Sequence, residues 1–511
     1  MQRKNVISNN QLKNLLVTTV VGVGILSLPS STAVVMDNDG WIAIIVSGIL
    51  FIPFILMIDK LFKMYPNKTI FEIGKEVLGK VIFTIFLIIG QIYSIIIIAY
   101  AIRVFGEVIK GYLLEITPIE VIIITMLLAA SYAARAEIEV LGRIATMVYP
   151  ILLGLIIFLV LINMPEADYT NILPVFNTDF TKITRGIMVS IFSYAGYEII
   201  LFAYPSSEDK KSALKYVLRG MFIVIGIYVI TFLTTLSQLG IDQLKRAIWP
   251  TISVANEVDL PGYFLENLDG IVIALWVMVV YVTIGPLLYI GGRVMENIFE
   301  AKSHDIFILP LIPIIYTVSL IPDNIISVYV NMGNILSYIA VVAIMILPTL
   351  VFLVAVIKKR RKKMSENKVL NNLMEAFAGE SQANRKYLAY AQKAEKEGKL
   401  NAAKLFRAAA DAETLHAMKL LEVAGKIGST ADNLKDGIKG ETYEYEEMYP
   451  AFVKEAEAAG NKAAVRAFTF AMKAEEVHAK LYKEALENLD DTEEVFYYLC
   501  PVCGNIEKSR P

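Results

Sequence analysis

The stretch Val21-Gly22-Val23-Gly24-Ile25-Leu26-Ser27-Leu28-Pro29 interrupts the first apolar segment of the chain with two glycines and a proline. Such an interruption predicts a membrane helix that unwinds part-way across the bilayer. Because lipid offers no hydrogen-bond partners, the unwound backbone must be satisfied by protein, water or a ligand. We therefore interpret Gly22 and Gly24 as candidate ligand-binding positions. The alternative is that small residues only allow close helix packing.

The first 363 residues contain ten apolar segments that are long enough to cross a bilayer. They lie at about 12–35, 41–62, 81–109, 118–134, 144–163, 186–204, 217–239, 270–292, 306–321 and 332–357. Lysine and arginine are concentrated in alternate connections, including both ends of this region, and such basic connections face the cytoplasm. The pattern predicts a multi-pass protein of the inner membrane of the cell or spore, embedded in the lipid bilayer, with both termini cytoplasmic.

The composition changes sharply after Lys363. The whole chain of 511 residues is 56% hydrophobic, with a mean hydropathy of +0.55 and a formal net charge of −2. Residues 1–363 are apolar and slightly basic, whereas residues 364–511 are rich in charge and acidic. This predicts a membrane domain at 1–363 followed by a cytosolic part, and no nucleic-acid partner. Residues 364–368 read like the start of an independent protein, which favours two genes joined end to end, by nature or by engineering.

A second interruption, Ser193-Tyr194-Ala195-Gly196-Tyr197-Glu198, lies in the sixth apolar segment. Matching interruptions in the first and sixth of ten spans are typical of a five-plus-five inverted repeat with a binding site between the broken helices. The half-helix N-termini favour a carboxylate on the ligand. The candidate binding residues here are Tyr194, Gly196, Tyr197 and Glu198. Tyrosines near a helix end are also ordinary interfacial anchors.

Two further ionisable residues, Arg103 and Glu107, lie four positions apart in the third apolar segment. They share one helix face and are costly to expose to lipid, so we expect them to point into the protein. We interpret them as candidate substrate-binding residues. A purely structural ion pair is an equally good interpretation.

Residues 8–357 resemble the endospore germination permeases, the B subunits of nutrient germinant receptors, in the amino acid–polyamine–organocation superfamily. The resemblance is carried by the ten-segment layout, by the two interruptions, and by Pro205 after the second of them. It implies recognition of a small nutrient, such as an amino acid, in a complex with other receptor subunits. Whether solute crosses the membrane is left open.

From Met364 onward the sequence is helical in pattern, with apolar residues at three- and four-residue spacing. Four helices are predicted, at about 366–396, 400–426, 441–459 and 462–489. The stretch 427–440 is interpreted as the long crossover connection of a ferritin-like four-helix bundle, with the domain at 364–494. The predicted fold class is thus all-α, with a short non-helical segment at the end.

Two Glu-x-x-His pairs carry the strongest chemical signal of the sequence, Glu413 with His416 and Glu475 with His478. A three-residue spacing places carboxylate and imidazole on one face of a helix, one turn apart. Carboxylates shared by two irons, with one histidine on each side, form the diiron arrangement that this spacing builds. Any single glutamate in such a helix is ordinarily solvated, but two such pairs use two of only three histidines in the chain.

Residues 364–511 resemble rubrerythrin along their whole length. The resemblance implies the iron ligands Glu380, Glu413, His416, Glu444, Glu447, Glu475 and His478. It implies two non-haem irons, reduction of hydrogen peroxide to water with electrons from a donor, and a dimer formed through the bundle. Glu413, Glu475 and Glu447 are the candidate catalytic residues.

Residues 495–511 contain Cys500-Pro501-Val502-Cys503-Gly504, the first knuckle of a rubredoxin-type centre. A tetrahedral thiolate site takes four ligands, and Cys500 with Cys503 supplies two. We therefore expect at most a partial iron or zinc site there, and a diiron site that loads without a working electron-input centre.

Two alternative functions remain from the sequence. In the first alternative, the chain is an iron transporter whose cytosolic diiron domain captures or oxidises iron. In the second, the bundle is only a fusion partner. Neither interruption carries the Asp, Asn, Met or His side chains that a divalent metal ion needs, which disfavours the transporter.

Overall fold

The structure is a computed structural model, and it describes residues 5–257 and 268–509. Residues 1–4 and 258–267 of the predicted membrane domain, and residues 510–511 of the predicted last segment, lie outside the described residues. The chain divides into two compact units, Met1–Lys359 and Arg360–Pro511, and each is described by itself.

The first unit is helical. Its helices are α1 (Asn9–Val21), α2 (Gly24–Met36), α3 (Gly40–Leu50), α4 (Ile52–Met64), α5 (Ile70–Leu78), α6 (Lys80–Tyr112), α7 (Ile119–Ala134), α8 (Ile138–Asn163), α9 (Phe180–Ser190), α10 (Ile199–Ala203), α11 (Ala213–Arg246), α12 (Pro250–Glu257), α13 (Leu268–Phe299), α14 (Asp305–Ser319), α15 (Ile325–Ser327), α16 (Gly333–Ala340) and the first part of α17 (Leu347–Lys396).

Seven helical stretches in the described residues are long and apolar enough to cross a membrane, and α7 and α14 are shorter apolar helices. Large aliphatic side chains are exposed along many of these helices, as expected for surfaces that face lipid. The first unit is therefore built as a membrane protein. The ten-span arrangement stays a prediction.

The first helix begins with a capping box and ends at the first interruption. The Ser8 hydroxyl accepts a hydrogen bond from the Gln11 backbone N–H, and the Gln11 side chain accepts one from the Ser8 N–H. Such reciprocal caps satisfy orphan donors at a helix start. The helix stops at Gly22, where a Cβ would lie 2.6 Å from Thr283 Oγ1 on α13. Only glycine fits this close approach.

The second interruption separates α9 from α10. A short 3₁₀ turn covers Ile191–Tyr194, and α10 begins only at Ile199. Gly196 has φ +103°, which favours glycine, and a Cβ there would lie 3.0 Å from the Thr19 carbonyl oxygen on α1. The two interruptions therefore meet.

Aromatic rings surround this meeting point. The ring of Tyr197 contacts that of Phe51 at 4.7 Å between centroids, and Tyr194 contacts Tyr228 at 5.4 Å. All four side chains are fully buried. Edge-to-face contacts of this kind add to the area that aromatic burial removes from solvent. The rings hold the non-helical backbone in place.

The second unit contains the rest of α17 and a set of amphipathic helices. They are α18 (Leu400–Val423), α19 (Thr430–Tyr443), α20 (Tyr449–Ala458) and α21 (Lys462–Glu487), followed by strands β1 (Phe496–Leu499) and β2 (Ile506–Ser509). The strands form an antiparallel hairpin in which Phe496 is opposite Ser509. A π-helical turn, Glu444–Met448, joins α19 to α20.

The predicted crossover at 427–440 is wrong, because most of that stretch is helix α19. The Ser429 hydroxyl accepts from the Asp432 N–H and caps the helix start. Gly437 and Gly440 lie inside the helix, and a Cβ at Gly437 would lie 3.1 Å from the Tyr482 ring. These glycines serve close helix packing and do not mark a loop.

Candidate functional site

One group of metal-binding side chains lies between α17 and α18. It consists of Glu380, Glu413 and His416, whose ligand atoms all lie within 4.8 Å of one another. His416 Nδ1 is 3.0 Å from Glu413 Oε2 and 4.0 Å from Glu380 Oε2. The His416 side chain is 62% exposed. The group thus has one carboxylate from each helix and an imidazole that is open on one side.

The two carboxyl groups of this cluster influence each other's pKa in opposite directions. The hydrogen bond to Glu413, together with partial desolvation, raises the pKa of Glu380. The same hydrogen bond and the contact with His416 lower the pKa of Glu413. Carboxylates held this close repel each other unless a proton or a cation lies between them.

A second group lies between α19 and α21 and consists of Glu441, Glu475 and His478. His478 Nδ1 is 2.7 Å from Glu475 Oε2 and 3.8 Å from Glu441 Oε2. Burial raises the pKa of Glu441 to about 7, with a further contribution from Glu475. The other ring nitrogen, His478 Nε2, lies 3.0 Å from the Gly504 carbonyl oxygen, a partner that orients the ring for ligation through Nδ1.

Glu441 is the ligand candidate that the sequence prediction missed. It occupies the position beside Glu475 and His478 that was assigned to Glu447, whereas Glu447 is exposed and belongs to neither group. Glu444 is half-buried, and burial together with the charge of Glu475 raises its pKa. Glu441 and Glu444 form a Glu-x-x-Glu spacing, as Glu444 and Glu447 do. The sequence therefore contained the correct Glu-x-x-Glu pair, one helical turn before the pair Glu444 and Glu447 that was predicted.

The knuckle residues Cys500 and Cys503 are free thiols in the turn between β1 and β2. The Gly504 N–H donates to the Cys500 carbonyl oxygen at 3.0 Å. Backbone N–H groups of Cys503 and Val502 lower the pKa of the Cys500 thiol. A turn that stabilises a thiolate suits a soft metal ion.

In the membrane unit, Glu198 is buried and its carboxylate has partners inside the protein. It accepts hydrogen bonds from the Tyr93 hydroxyl at 2.8 Å and from the Gly196 N–H at 2.7 Å. The hydroxyls of Tyr194 and Tyr197 donate to the carbonyl oxygens of Ile44 and Ile344. These side chains tie the second interruption to the surrounding helices through hydrogen bonds within the protein.

The first interruption is satisfied by residues that sequence reasoning did not single out. Trp276 Nε1 donates to the Gly22 carbonyl oxygen at 3.1 Å, and the Thr283 hydroxyl donates to that of Thr18 at 2.9 Å. The Tyr228 hydroxyl donates to the Val20 carbonyl oxygen at 2.9 Å. A Cβ at Gly24 would lie 3.3 Å from the same Tyr228 hydroxyl. No local pattern marks these donors, which lie more than 200 residues away along the chain.

Arg103 and Glu107 pair directly, with Nε 2.9 Å from Glu107 Oε1. Arg103 also donates from Nη1 to the Ser319 carbonyl oxygen at the end of α14, at 3.1 Å. Arg103 is buried. These contacts favour the structural interpretation, in which the pair ties α6 to α14.

A cavity of about 220 Å³ lies next to the segment that follows the second interruption. Its walls include Phe202, Ser206, Glu137 and Arg293. It therefore combines an anionic and a cationic side chain with apolar surface.

Together these features define a helical membrane protein of transporter-like fold joined to a helical carboxylate–histidine metal-binding unit. The family described as "Spore germination protein" matches residues 6–328, and the rubrerythrin family matches residues 371–486. The chain belongs to the spore germination protein family, and its second unit belongs to the rubrerythrin family. Both resemblances predicted from the sequence are confirmed.

The relatives divide in the same way. "Spore germination protein YndE" of Bacillus subtilis is 25% identical over 358 residues, 70% of this chain and 98% of that protein. "Nigerythrin" of Nitratidesulfovibrio vulgaris is 38% identical over 162 residues, 29% of this chain and 80% of that protein. The crystal structure of MhsT in complex with L-phenylalanine covers 81% of this chain and all of its own, at 13% identity and a TM-score of 0.54. That likeness shows the transporter fold alone.

Proposed function

We propose that the membrane unit crosses the bilayer ten times as two inverted sets of five helices, with both termini and the second unit in the cytoplasm. The meeting of the two interruptions, with Gly196 against the Thr19 carbonyl of α1, supports this arrangement. The placement of lysine and arginine supports the orientation. The domain division is then 1–363, 364–494 and 495–511.

This unit recognises a small nutrient, such as an amino acid, together with other germinant-receptor subunits. The ligand binds at the two interruptions, where Gly22, Gly24 and Gly196 allow the non-helical backbone to approach neighbouring helices closely. Tyr194, Tyr197 and Glu198 form the adjoining wall, and the Arg103–Glu107 pair ties α6 to α14. The support is the family of the relatives and the close approach at each glycine.

A glycine comparison tests this site. Leucine at Gly24 meets the Tyr228 hydroxyl and Ser193, whereas leucine at Gly154 on α8 meets nothing, because no heavy atom lies within 4 Å of a Cβ there. Binding of labelled amino acids to the full chain in lipid nanodiscs is expected to be lost in Gly24→Leu and kept in Gly154→Leu. Unchanged binding by Gly24→Leu would place the site elsewhere.

The second unit is a rubrerythrin-like peroxidase that holds two non-haem irons. The observation that carries this proposal is the pair of Glu/Glu/His groups, one at Glu380, Glu413 and His416 and one at Glu441, Glu475 and His478. Carboxylate oxygen and imidazole nitrogen suit iron, and helix-borne Glu-x-x-His pairs build such sites. Iron held by these residues would supply the redox chemistry for reduction of hydrogen peroxide to water, with electrons from an external donor.

Within this site, Glu413 and Glu475 are the carboxylates next to the histidines, and Glu441 takes the role first assigned to Glu447. Glu444 lies one turn further along and serves as an additional carboxylate. The Gly504 carbonyl fixes the ring of His478. Cys500 and Cys503 offer two thiolates for a partial iron or zinc site.

Iron content and peroxide consumption of the full chain test this function. Glu413→Ala is expected to lower both at least tenfold, since loss even of an outer partner of a metal ligand costs about 10- to 100-fold. Glu422→Ala, on the same helix and with its side chain paired to Lys419, is the control. An iron-free wild-type chain, or a Glu413→Ala chain with full activity, would refute the proposal.

A further inference from the structure

Cys500 and Cys503 are the two cysteines of the whole chain, and both lie in the turn between β1 and β2. Two backbone hydrogen bonds close this turn. The Gly504 N–H donates to the Cys500 carbonyl oxygen at 3.0 Å, and the Cys500 N–H donates to the Asn505 carbonyl oxygen at 2.9 Å. Both thiols are free and half-buried. The turn therefore holds two thiols close together near the surface.

The spacing of the two cysteines suits a disulfide bond. Residues three apart across a tight turn have Cα atoms within about 7 Å of each other. A disulfide needs Cα atoms about 4.4–6.8 Å apart. Since the chain has no third cysteine, oxidation within one chain can join only Cys500 to Cys503. Two thiols in such a motif exchange with other dithiols through thiol–disulfide exchange.

As a metal site, the same pair is only half complete. A tetrahedral thiolate site takes four ligands, and the turn supplies two. Within residues 5–257 and 268–509, neither of the two Glu/Glu/His groups includes a cysteine. Oxidation of two thiols to a disulfide needs no further ligand. The chemistry that the turn can perform by itself is therefore that of a dithiol.

The turn is docked against one of the two Glu/Glu/His groups. The Gly504 carbonyl oxygen lies 3.0 Å from His478 Nε2. Further along β2, Lys508 Nζ lies 3.1 Å from Glu484 Oε2 on α21. Gly504 directly follows Cys503 in the chain. One residue and one hydrogen bond therefore connect the thiol pair to the imidazole of the candidate iron site.

The hairpin around the thiols is open to solvent. Val502, between the two cysteines, is 78% exposed, and Leu499, just before them, is 68% exposed. A soluble dithiol can therefore reach the turn while its other end contacts α21. Contact with a buried site on one end and with solvent on the other is what a carrier of electrons requires.

We propose that Cys500 and Cys503 are the internal electron donor of the second unit, a dithiol that supplies the two electrons for each hydrogen peroxide reduced at the neighbouring carboxylate–histidine site. Each thiol gives up one hydrogen and one S–S bond forms, while the O–O bond of the peroxide breaks and two waters form. An external dithiol then exchanges with the disulfide and restores both thiols. The inference rests on the proposed peroxidase function and deepens it by naming the class of its electron donor.

A count of free thiols after one pulse of peroxide tests the donor role. The iron-loaded full chain is reduced with dithiothreitol, separated from it without air, and treated with hydrogen peroxide. The remaining thiols are alkylated and counted by mass spectrometry. The count should fall from two per chain to none, with Cys500 linked to Cys503. In Glu413→Ala, which is expected to lose iron, this oxidation should be much slower. Equally fast oxidation there would mean that the thiols react with peroxide directly, which overturns the donor role.

Substitutions in the turn test the pair without altering a carboxylate or an imidazole. With dithiothreitol as the reductant, Cys503→Ser is expected to lose continuous peroxide consumption, because a single thiol cannot form the internal disulfide. Val502→Ser is the matched control, since this exposed side chain lies between the cysteines and carries no thiol. It should keep both the disulfide and the consumption. Equal consumption by the two variants would overturn the inference.

Failure of this inference can be told apart from failure of the proposed function. A wild-type chain that holds no iron refutes the proposed function. A chain that holds iron and consumes peroxide with ascorbate as the reductant, while both thiols stay free, refutes the donor role alone. Iron or zinc held by the thiols themselves, measured as metal content that falls in Cys503→Ser but not in Val502→Ser, also refutes the donor role.

Discussion

Glu198 in the membrane unit and Glu413 in the second unit are both predicted site carboxylates, but their surroundings are opposite. Glu198 is buried and accepts from Tyr93 and from the Gly196 N–H. Glu413 lies beside another carboxyl group and a largely exposed imidazole. One carboxylate accepts hydrogen bonds from two donors, and the other is clustered with a second carboxyl group and an imidazole that could share a cation with it.

The difference follows from the solvent of each unit. In lipid, a polar group without a partner costs several kcal/mol, so the membrane unit must satisfy its interruptions with its own side chains. In water, solvent screens the repulsion between clustered carboxylates, so such a cluster can persist until a cation binds. Groups that are satisfied within the unit therefore stabilise its fold, and the clustered carboxylates of the second unit are available to bind a cation. Substitutions in each unit can break or sharpen this comparison.

The largest effect on folding is expected at Glu198. Glu198→Leu leaves the Tyr93 hydroxyl and the Gly196 N–H buried without an acceptor, at about 1–3 kcal/mol each. The full chain in detergent should therefore show a lower unfolding temperature of the membrane unit, and Glu198→Gln should restore much of the loss because an amide oxygen still accepts. Glu413→Leu should leave the stability of the iron-free chain nearly unchanged. Similar losses at both positions would remove the contrast.

A comparison of Glu441 with Glu447 tests whether the clustered carboxylates of the second unit bind metal. Glu441→Ala removes a carboxylate next to Glu475 and His478, and we expect iron affinity to fall by about 10- to 100-fold. Glu447→Ala removes an exposed side chain and should leave affinity unchanged. Iron titration with a competing chelator measures both. A stronger effect at Glu447 would restore the assignment made from sequence.

This pair of residues shows where sequence reasoning reached its limit. Glu413 with His416 and Glu475 with His478 could be chosen because a three-residue spacing fixes a shared helix face within a single turn. The choice among Glu441, Glu444 and Glu447 depends on which turn of α19 lies level with α21, which only tertiary packing decides. The π-helical turn at Glu444–Met448 changes that register again.

The same limit explains two other outcomes. The stretch 427–440 carries three glycines and was predicted as a crossover, but the cap at Ser429 and packing against Tyr482 make most of it helix. In the membrane unit the interruptions could be predicted from glycine and proline. The donors Trp276, Tyr228 and Tyr93 could not, because their partners lie far away along the chain.

Gly22 tests the close approach of the first interruption. Gly22→Ala places a Cβ 2.6 Å from Thr283 Oγ1, so α1 and α13 must separate. Overpacking of this kind costs about 1–3 kcal/mol. Gly90→Ala, on α6 with nothing within 4 Å of a Cβ, is the control. We expect thermal unfolding to shift for Gly22→Ala only, and equal shifts would argue against the tight contact.

The smallest expected effect lies in a local pair outside the apolar spans. Glu72 accepts from the Thr69 N–H and hydroxyl and caps α5, and these hydrogen bonds lower the pKa of its carboxyl. A lowered pKa in the folded state means that this contribution is present above the ordinary pKa of a glutamate and is lost as pH falls through the folded value. Glu72→Ala should cost about 1 kcal/mol near neutral pH and less in acid. Urea unfolding of the full chain at both pH values measures the difference in unfolding free energy between the wild type and Glu72→Ala. A difference that grows on acidification would contradict the role of Glu72 as a cap.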